Sequence, residues 1–182
     1  MRKAIARETI LDAATVVAQR DGASRLTIEA VAREVGLSKA GLLYSFPSKD
    51  ALMAALLERM IEKFSARVEG SADRQGRACS DMRAKLDALL GLMGEDTPLA
   101  HAILVAGTHN PALLDPLRTH IAGEMREMLD GLSDPVGALV LLSAMDGMLL
   151  QHLLGLPPSD PELRRQMLER IEVMISEFEV RS

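Results

Sequence analysis

Aromatic residues are nearly missing from this chain, which has no Trp, one Tyr and three Phe among 182 residues. Any core must therefore be built from Leu, Ile, Val, Ala and the 11 Met. Most of these are good helix formers, whereas sheet proteins draw more on aromatic and β-branched side chains. The chain is expected to be all-α. Cysteine is equally scarce, and the lone Cys79 excludes an internal disulfide or a multi-cysteine zinc site. The N-terminus lacks the apolar stretch of a signal peptide. No apolar run reaches the roughly 18 residues a membrane span requires. The longest, 136–150, is interrupted by Gly137, Ser143, Asp146 and Gly147. A soluble, cytoplasmic protein without a membrane partner is expected.

Hydrophobic residues make up 48% of the chain, enough for a sizeable core. The length allows one compact body or a small module joined to a larger one. The net charge of −5 argues against indiscriminate nucleic-acid binding, but its distribution is uneven. Residues 1–49 hold eight Lys or Arg against five Asp or Glu, a net of +3, and the remainder carries −8. A weakly basic head precedes an acidic body, a contrast that ordinary solvated surfaces also produce.

Helical spacing recurs along the whole chain. A first helix over 4–20 buries Ile10, Ala13, Ala14, Val17 and Ala18, and Gly22 suits a left-handed stop. Thr27 caps a second helix that buries Ile28, Val31, Ala32 and Val35 and ends at Gly36. Ser38 caps a third, which runs to Ser45. Phe46-Pro47-Ser48 breaks the chain, and Ser48 or Lys49 opens a fourth helix with Leu52, Leu56, Met60 and Phe64 four residues apart. The glycine-bearing stretch 70–80 reads as a loop. Further helices are expected at 81–93, 98–107, 111–131, 135–155 and 160–180, about nine in all. Ser159 or Asp160, followed by Pro161 and Glu162, marks the start of the last.

Two short helices joined by a glycine turn make a helix-turn-helix unit, in which the first helix braces the second against the major groove of DNA. A groove-facing helix needs small or polar residues near its N-terminus, and Ser38, Lys39, Ala40 and Gly41 have that character. Gly41 costs about 1 kcal/mol of helix stability against alanine, so close approach to DNA is one reason for its presence. Spacing alone equally admits a small helical bundle in which Gly36 and Gly41 are only punctuation.

The stretch from Leu26 to Leu52 (LTIEAVAREVGLSKAGLLYSFPSKDAL), together with Ile10, Ala13, Ala14 and Gly22, resembles the DNA-binding domain of TetR-type regulators. Gly36 matches the family's turn glycine, Ser38-Lys39 opens its recognition helix, and Tyr44 and Phe46 fit its aromatic pattern. The resemblance covers roughly residues 5–60 and implies a three-helix DNA-binding domain, 1–48. A larger helical effector-binding and dimerisation domain, 49–182, would follow. It implies phosphate contacts from Thr27, Tyr44 and Lys49, base or nearby backbone contacts from Ser38, Lys39, Ala40 and Gly41, and further backbone contacts from Arg25 and from Arg2-Lys3. Thr27 is also expected to serve as a helix cap. The competing role for Tyr44 is core packing, Phe46 is expected in the core, and Arg2 and Lys3 also fit a merely solvated terminus. Ser45 stands where many relatives carry histidine and Ala40 where glycine is frequent, departures that bear on the operator sequence.

The resemblance further implies a repressor, homodimeric on a palindromic operator in double-stranded DNA and released by a small molecule bound among the middle helices. Candidate lining residues are Leu89, Met93, Ile103, Leu104, Met125 and Met128, each of which also reads as ordinary core. Methionine adapts to varied partners, and with few aromatics an aliphatic or amphipathic ligand is expected. His101, His109 and His120 are 8 and 11 residues apart, which is not a compact metal motif, so no metal or cofactor is expected. The last two helices are apolar over more than one face, and two from each subunit would form a four-helix bundle. The expected dimer interface is Leu142, Leu149 and Met145 with Met167, Ile171, Met174 and Phe178, residues that could equally face their own subunit's core. No phosphate loop, dinucleotide fingerprint, paired metal histidines or nucleophile elbow points to an enzyme. A helical adaptor would leave the N-terminal motif unexplained.

Overall fold

A computed structural model describes residues 6–72, 77–94, 97–130, 132–156 and 160–181, and their regular structure is entirely helical. Helix α1, Arg7–Asp21, buries Leu11 besides the five apolar residues its spacing marks, and it stops at Gly22. A 3₁₀ turn, Ala23–Arg25, leads to α2, Ile28–Glu34, and α3, Lys39–Ser45. Helix α4, Lys49–Ala72, and α5, Arg77–Leu92, follow. Next come α6, Thr97–His109, a 3₁₀ turn over Pro111–Leu114, and α7, Asp115–Leu129. Two long helices, α8 over Pro135–Leu153 and α9 over Pro161–Arg181, close the chain.

Two expectations about the elements change. The loop expected over 70–80 is largely helix, because α4 continues to Ala72 and α5 begins at Arg77. A single glycine such as Gly70 costs a helix only about 1 kcal/mol, which the cooperativity of a 24-residue helix absorbs. Cys79 consequently lies within α5 rather than in a loop, with its side chain outside the description. The helix expected over 111–131 opens instead as a 3₁₀ turn, in which the Leu113 N–H donates to the Asn110 carbonyl at 3.0 Å. That turn packs closely on α6: a Cβ at Gly107 would stand 2.5 Å from Leu114 Cδ1, so no larger residue fits there without a shift.

Two compact units result. One holds α1–α3, α4 as far as Ile61, α6, and α7 as far as Arg118. Its core joins Ile10, Val17, Leu26, Val31, Leu42 and Phe46 to Leu52, Leu56 and Leu57 of α4 and Leu99 and Ile103 of α6. The compact unit around α2 and α3 thus extends beyond residue 48. Polar clasps reinforce it. The Arg59 guanidinium of α4 donates to the Leu11 carbonyl at 2.8 Å, Thr15 Oγ1 at 2.6 Å and Asp12 Oδ1 at 2.7 Å, and Asn110 Nδ2 donates to Asp50 Oδ2 at 2.9 Å.

The other unit holds α4 from Glu62, α5, α7 from Thr119, α8 and α9. Met82, Leu86, Leu89, Leu141, Leu142, Met145, Ile171 and Ile175 form its core. Helix α8 ends two residues short of the expected 135–155, and over 18 residues its mean hydropathy is 1.5, enough by length and composition for a membrane span despite its glycines. One side of it, Ala138, Leu141, Leu142, Met145 and Met148, is buried in this unit. The other side carries exposed Val136, Val140, Leu150 and Leu154.

Candidate nucleic-acid interface

Helices α2 and α3 are each seven residues long, too short to persist alone. Thr27 starts α2, its Oγ1 accepting the Ala30 N–H at 3.1 Å. Gly36 turns the chain at φ 69°, and the Leu37 N–H then donates to the Ala32 carbonyl at 2.8 Å. Ser38 starts α3, its Oγ accepting the Gly41 N–H at 3.1 Å. Ser48 repeats the device for α4, accepting the Ala51 N–H at 3.0 Å. Leu42 is the one residue α3 buries.

What α3 and its cap leave outside is small or polar. Ser38, Lys39 and Ala40 are exposed and Gly41 partly so. Tyr44 is 93% exposed, which removes the core-packing role, while Phe46 is buried as expected. Lys49 and Arg25 are exposed and Thr27 is half-buried. Arg2 and Lys3 lie outside the described residues. Lys39 is not idle: its Nζ pairs with Glu29 Oε1 at 2.7 Å, which holds the Glu29 carboxyl below its ordinary range. Sequence reasoning missed Glu29, and it also missed Arg7. The Arg7 guanidinium lies 4.3 Å over the Phe46 ring and donates to the Ser45 carbonyl at 3.1 Å. A cation is thereby fixed at the C-terminal end of α3, where the helix dipole favours it. Thirty-eight residues separate Arg7 from Ser45, so no local pattern announces the contact.

The expected effector residues are divided between the two units. Ile103 belongs to the first unit's core, while Leu89, Met93 and, at its edge, Met128 belong to the second's. Leu104 and Met125 are half-buried. The residues expected at a dimer interface differ in burial. Leu142, Met145 and Ile171 are buried in their own unit's core. Leu149, Met167 and Met174 pack at the edge of that core, and the Phe178 side chain lies outside the description. The period of α8 was legible, but which of its apolar sides faces inward depends on α5 and α9.

The second unit also contains polar groups that the apolar pattern hid. Lys85 of α5 is 5% exposed. Its Nζ lies 3.4 Å from Glu124 Oε2 of α7 and 3.9 Å from Asp146 Oδ1 of α8. His120 Nε2 stands 3.4 Å from Glu124 Oε1, sealed from solvent, without a hydrogen bond among the described residues. The His120 ring meets Phe64 edge-on with centroids 6.4 Å apart. Burial pushes the Asp146 carboxyl up, opposed by Lys85 and aided by Glu124.

Comparison with known proteins agrees with this geometry. Residues 10–56 match the family described as bacterial regulatory proteins, tetR family, and residues 80–176 match the tetracyclin repressor-like C-terminal domain. The nucleoid occlusion factor SlmA of Vibrio atlanticus (strain LGP32) is 28% identical over 158 residues, covering 80% of this chain and 81% of the relative. That of Marinobacter nauticus is 32% identical over 107 residues, 59% of this chain and 48% of the relative. A transcriptional regulator from Rhodococcus sp. Rha1 superposes with a TM-score of 0.73 at 22% identity, covering 96% of both chains. The multidrug binding protein EbrR complexed with ethidium superposes with a TM-score of 0.63 at 29% identity, covering 91% of this chain and 96% of that one. The C-terminal match alone spans more than half of the sequence, and with the helix-turn-helix match before it, the chain belongs to the TetR family of transcriptional regulators.

Proposed function

We propose that this regulator is a cytoplasmic, homodimeric repressor, not an enzyme, that binds a palindromic operator through α2 and α3 and is released by a small molecule. The observation that carries the DNA reading is the outer surface of α3, where the chain's single tyrosine stands almost fully in solvent and Lys39 is exposed at the other end of the helix. An exposed tyrosine at a helix end suits a phosphate contact, and Ser38, Lys39, Ala40 and Gly41 let the helix approach base edges. Thr27, Arg25 and Lys49 add backbone contacts. The dimer reading rests on the outer side of α8, where Val136, Val140, Ser143, Gly147, Leu150 and Leu154 recur at helical spacing. A Cβ at Gly147 would meet nothing within 4 Å in the chain itself, so the glycine is not required by its own unit. A second α8 can approach closely there, with Leu163 and Val173 of α9 adding exposed apolar surface.

Gel shifts on palindromic duplexes drawn from the gene's neighbourhood test the reading. Binding should weaken steeply as salt rises, since Lys and Arg displace counterions from phosphates. Lys49→Ala should lower affinity for every duplex and flatten the salt slope, and an unchanged slope would remove Lys49 from the interface. The 28% identity to nucleoid occlusion factors over most of the chain favours a second reading, a chromosome-bound factor whose output is not transcription. Transcript levels beside the binding site in a deletion strain separate the two: they change for a repressor and stay level for an occlusion factor.

A further inference from the structure

Among the described residues the buried core of the second unit is Met, Leu, Ile and Ala, and beside it α5, α7 and α8 bring Lys85, His120, Glu124 and Asp146 together. Ion pairs in a protein interior seldom outperform well-packed apolar side chains of similar volume, so such a cluster points to function rather than to stability. Bundle proteins build ligand sites in this way, from side chains on facing helices. The cluster holds two carboxylates against one ammonium. When both are ionised, one negative charge is left over beside a low-dielectric core. Burial is the main cause of the upward push on Asp146, and the like charge of Glu124 adds to it.

We propose that this cluster is the effector's polar subsite and that it seats an organic cation with an aliphatic body. A ligand ammonium between Glu124 and Asp146 makes two cations face two carboxylates, and the cluster becomes neutral. An anionic ligand would add a third negative charge beside Glu124. A divalent metal has no support, because the described residues contain no group of three or more His, Cys, Asp or Glu placed to hold one. His120 Nε2 stands 3.4 Å from Glu124 Oε1 without a hydrogen bond among the described residues, a buried polar atom beside the cluster. The apolar surface that adjoins the cluster is Phe64, half-buried and edge-on to the His120 ring, and the body of the ligand lies against it. Asp146, whose side chain is 41% exposed, links the cluster to the outside. The assignment rests on the reading that a small molecule controls this protein.

The test is titration calorimetry of the full-length protein at neutral pH with decylamine, decanol and decanoate, which share a chain length and differ in head charge. Decylamine should bind about tenfold or more tightly than decanol, the scale of one charge-assisted hydrogen bond, and decanoate should bind most weakly. In the Glu124→Gln, Asp146→Asn double variant the amine's advantage over decanol should disappear. Lys85→Met removes the competing cation, so its advantage should grow, an opposite change that a damaged fold cannot mimic. Equal affinities, a preference for decanoate, or no binding of any probe would overturn the assignment. Gel shifts without amphiphile keep the two readings apart. A protein that binds its operator but does not select the amine loses only this inference. One that selects the amine through Glu124 and Asp146 but binds no duplex loses the DNA reading instead.

Discussion

Lys39 enters any DNA complex from an occupied state, because Glu29 holds its ammonium at 2.7 Å in the free protein. A base edge must take over that partner, and the Glu29 carboxylate must move away or find a donor such as a cytosine amine. Lys39→Ala should therefore relax specificity at one position in each half-site, within the ~1–3 kcal/mol that a good base contact discriminates. Affinities for single-base operator variants measure this, and a uniform loss across all sequences would make Lys39 a phosphate contact. Asp146 offers a second test at this scale. Its carboxyl is raised above the ordinary 3.8, so the folded state holds the proton more tightly than the unfolded chain. Its contribution is favourable at low pH and is lost as pH rises through the raised value. Asp146→Asn should therefore melt at a higher temperature than wild type at neutral pH, and the gap should close as pH falls below 3.8. A gap that persists in acid would show that ionisation is not its source.

At the scale of elements, α3 is held by its ends. Ser38 caps one end, Arg7 and Phe46 clasp the other, and Gly36 sets the angle of entry. Gly36 sits at φ 69°, where an L-residue costs about 1–2 kcal/mol, partly offset by the reduced freedom of the unfolded chain. Gly36→Ala should destabilise by about 1 kcal/mol and lower the melting temperature by roughly 2–4 °C. Calorimetry measures this, and an unchanged melting point would mean the turn relaxes without strain. Caps and turn glycines act within three or four residues, and so α2, α3 and the start of α4 were legible in the chain. The junction of α4 and α5 was not, because Gly70 and Gly76 read as breakers while helix cooperativity carries α4 through the first of them.

For the whole molecule, the decisive feature is which side of α8 each residue occupies. Met145 and Ile171 fill their own unit's core, so a charge at either should unfold the chain rather than separate subunits. Val140, 59% exposed, is the position that tests dimerisation. Val140→Asp should give a folded monomer by sedimentation and abolish operator binding, since one recognition helix makes too few contacts and only two-fold symmetry fixes half-site spacing. A folded monomer that still binds the full palindrome with wild-type affinity would end the dimer mechanism.

By itself, the sequence determined the all-α class, the helix-turn-helix, its caps at Thr27 and Ser38, and the family. Each depends on periodicity or on contacts between residues a few positions apart. The tertiary structure decided the rest. It freed Tyr44 from the core, turned Met145 inward and Val140 outward, gave Arg7 to the end of α3, and gathered Lys85, His120, Glu124 and Asp146 from three helices. Helical period marks α8 as apolar on more than one side but does not say which side is covered. Only packing against α5 and α9 decides which side the chain covers for itself and which it leaves exposed.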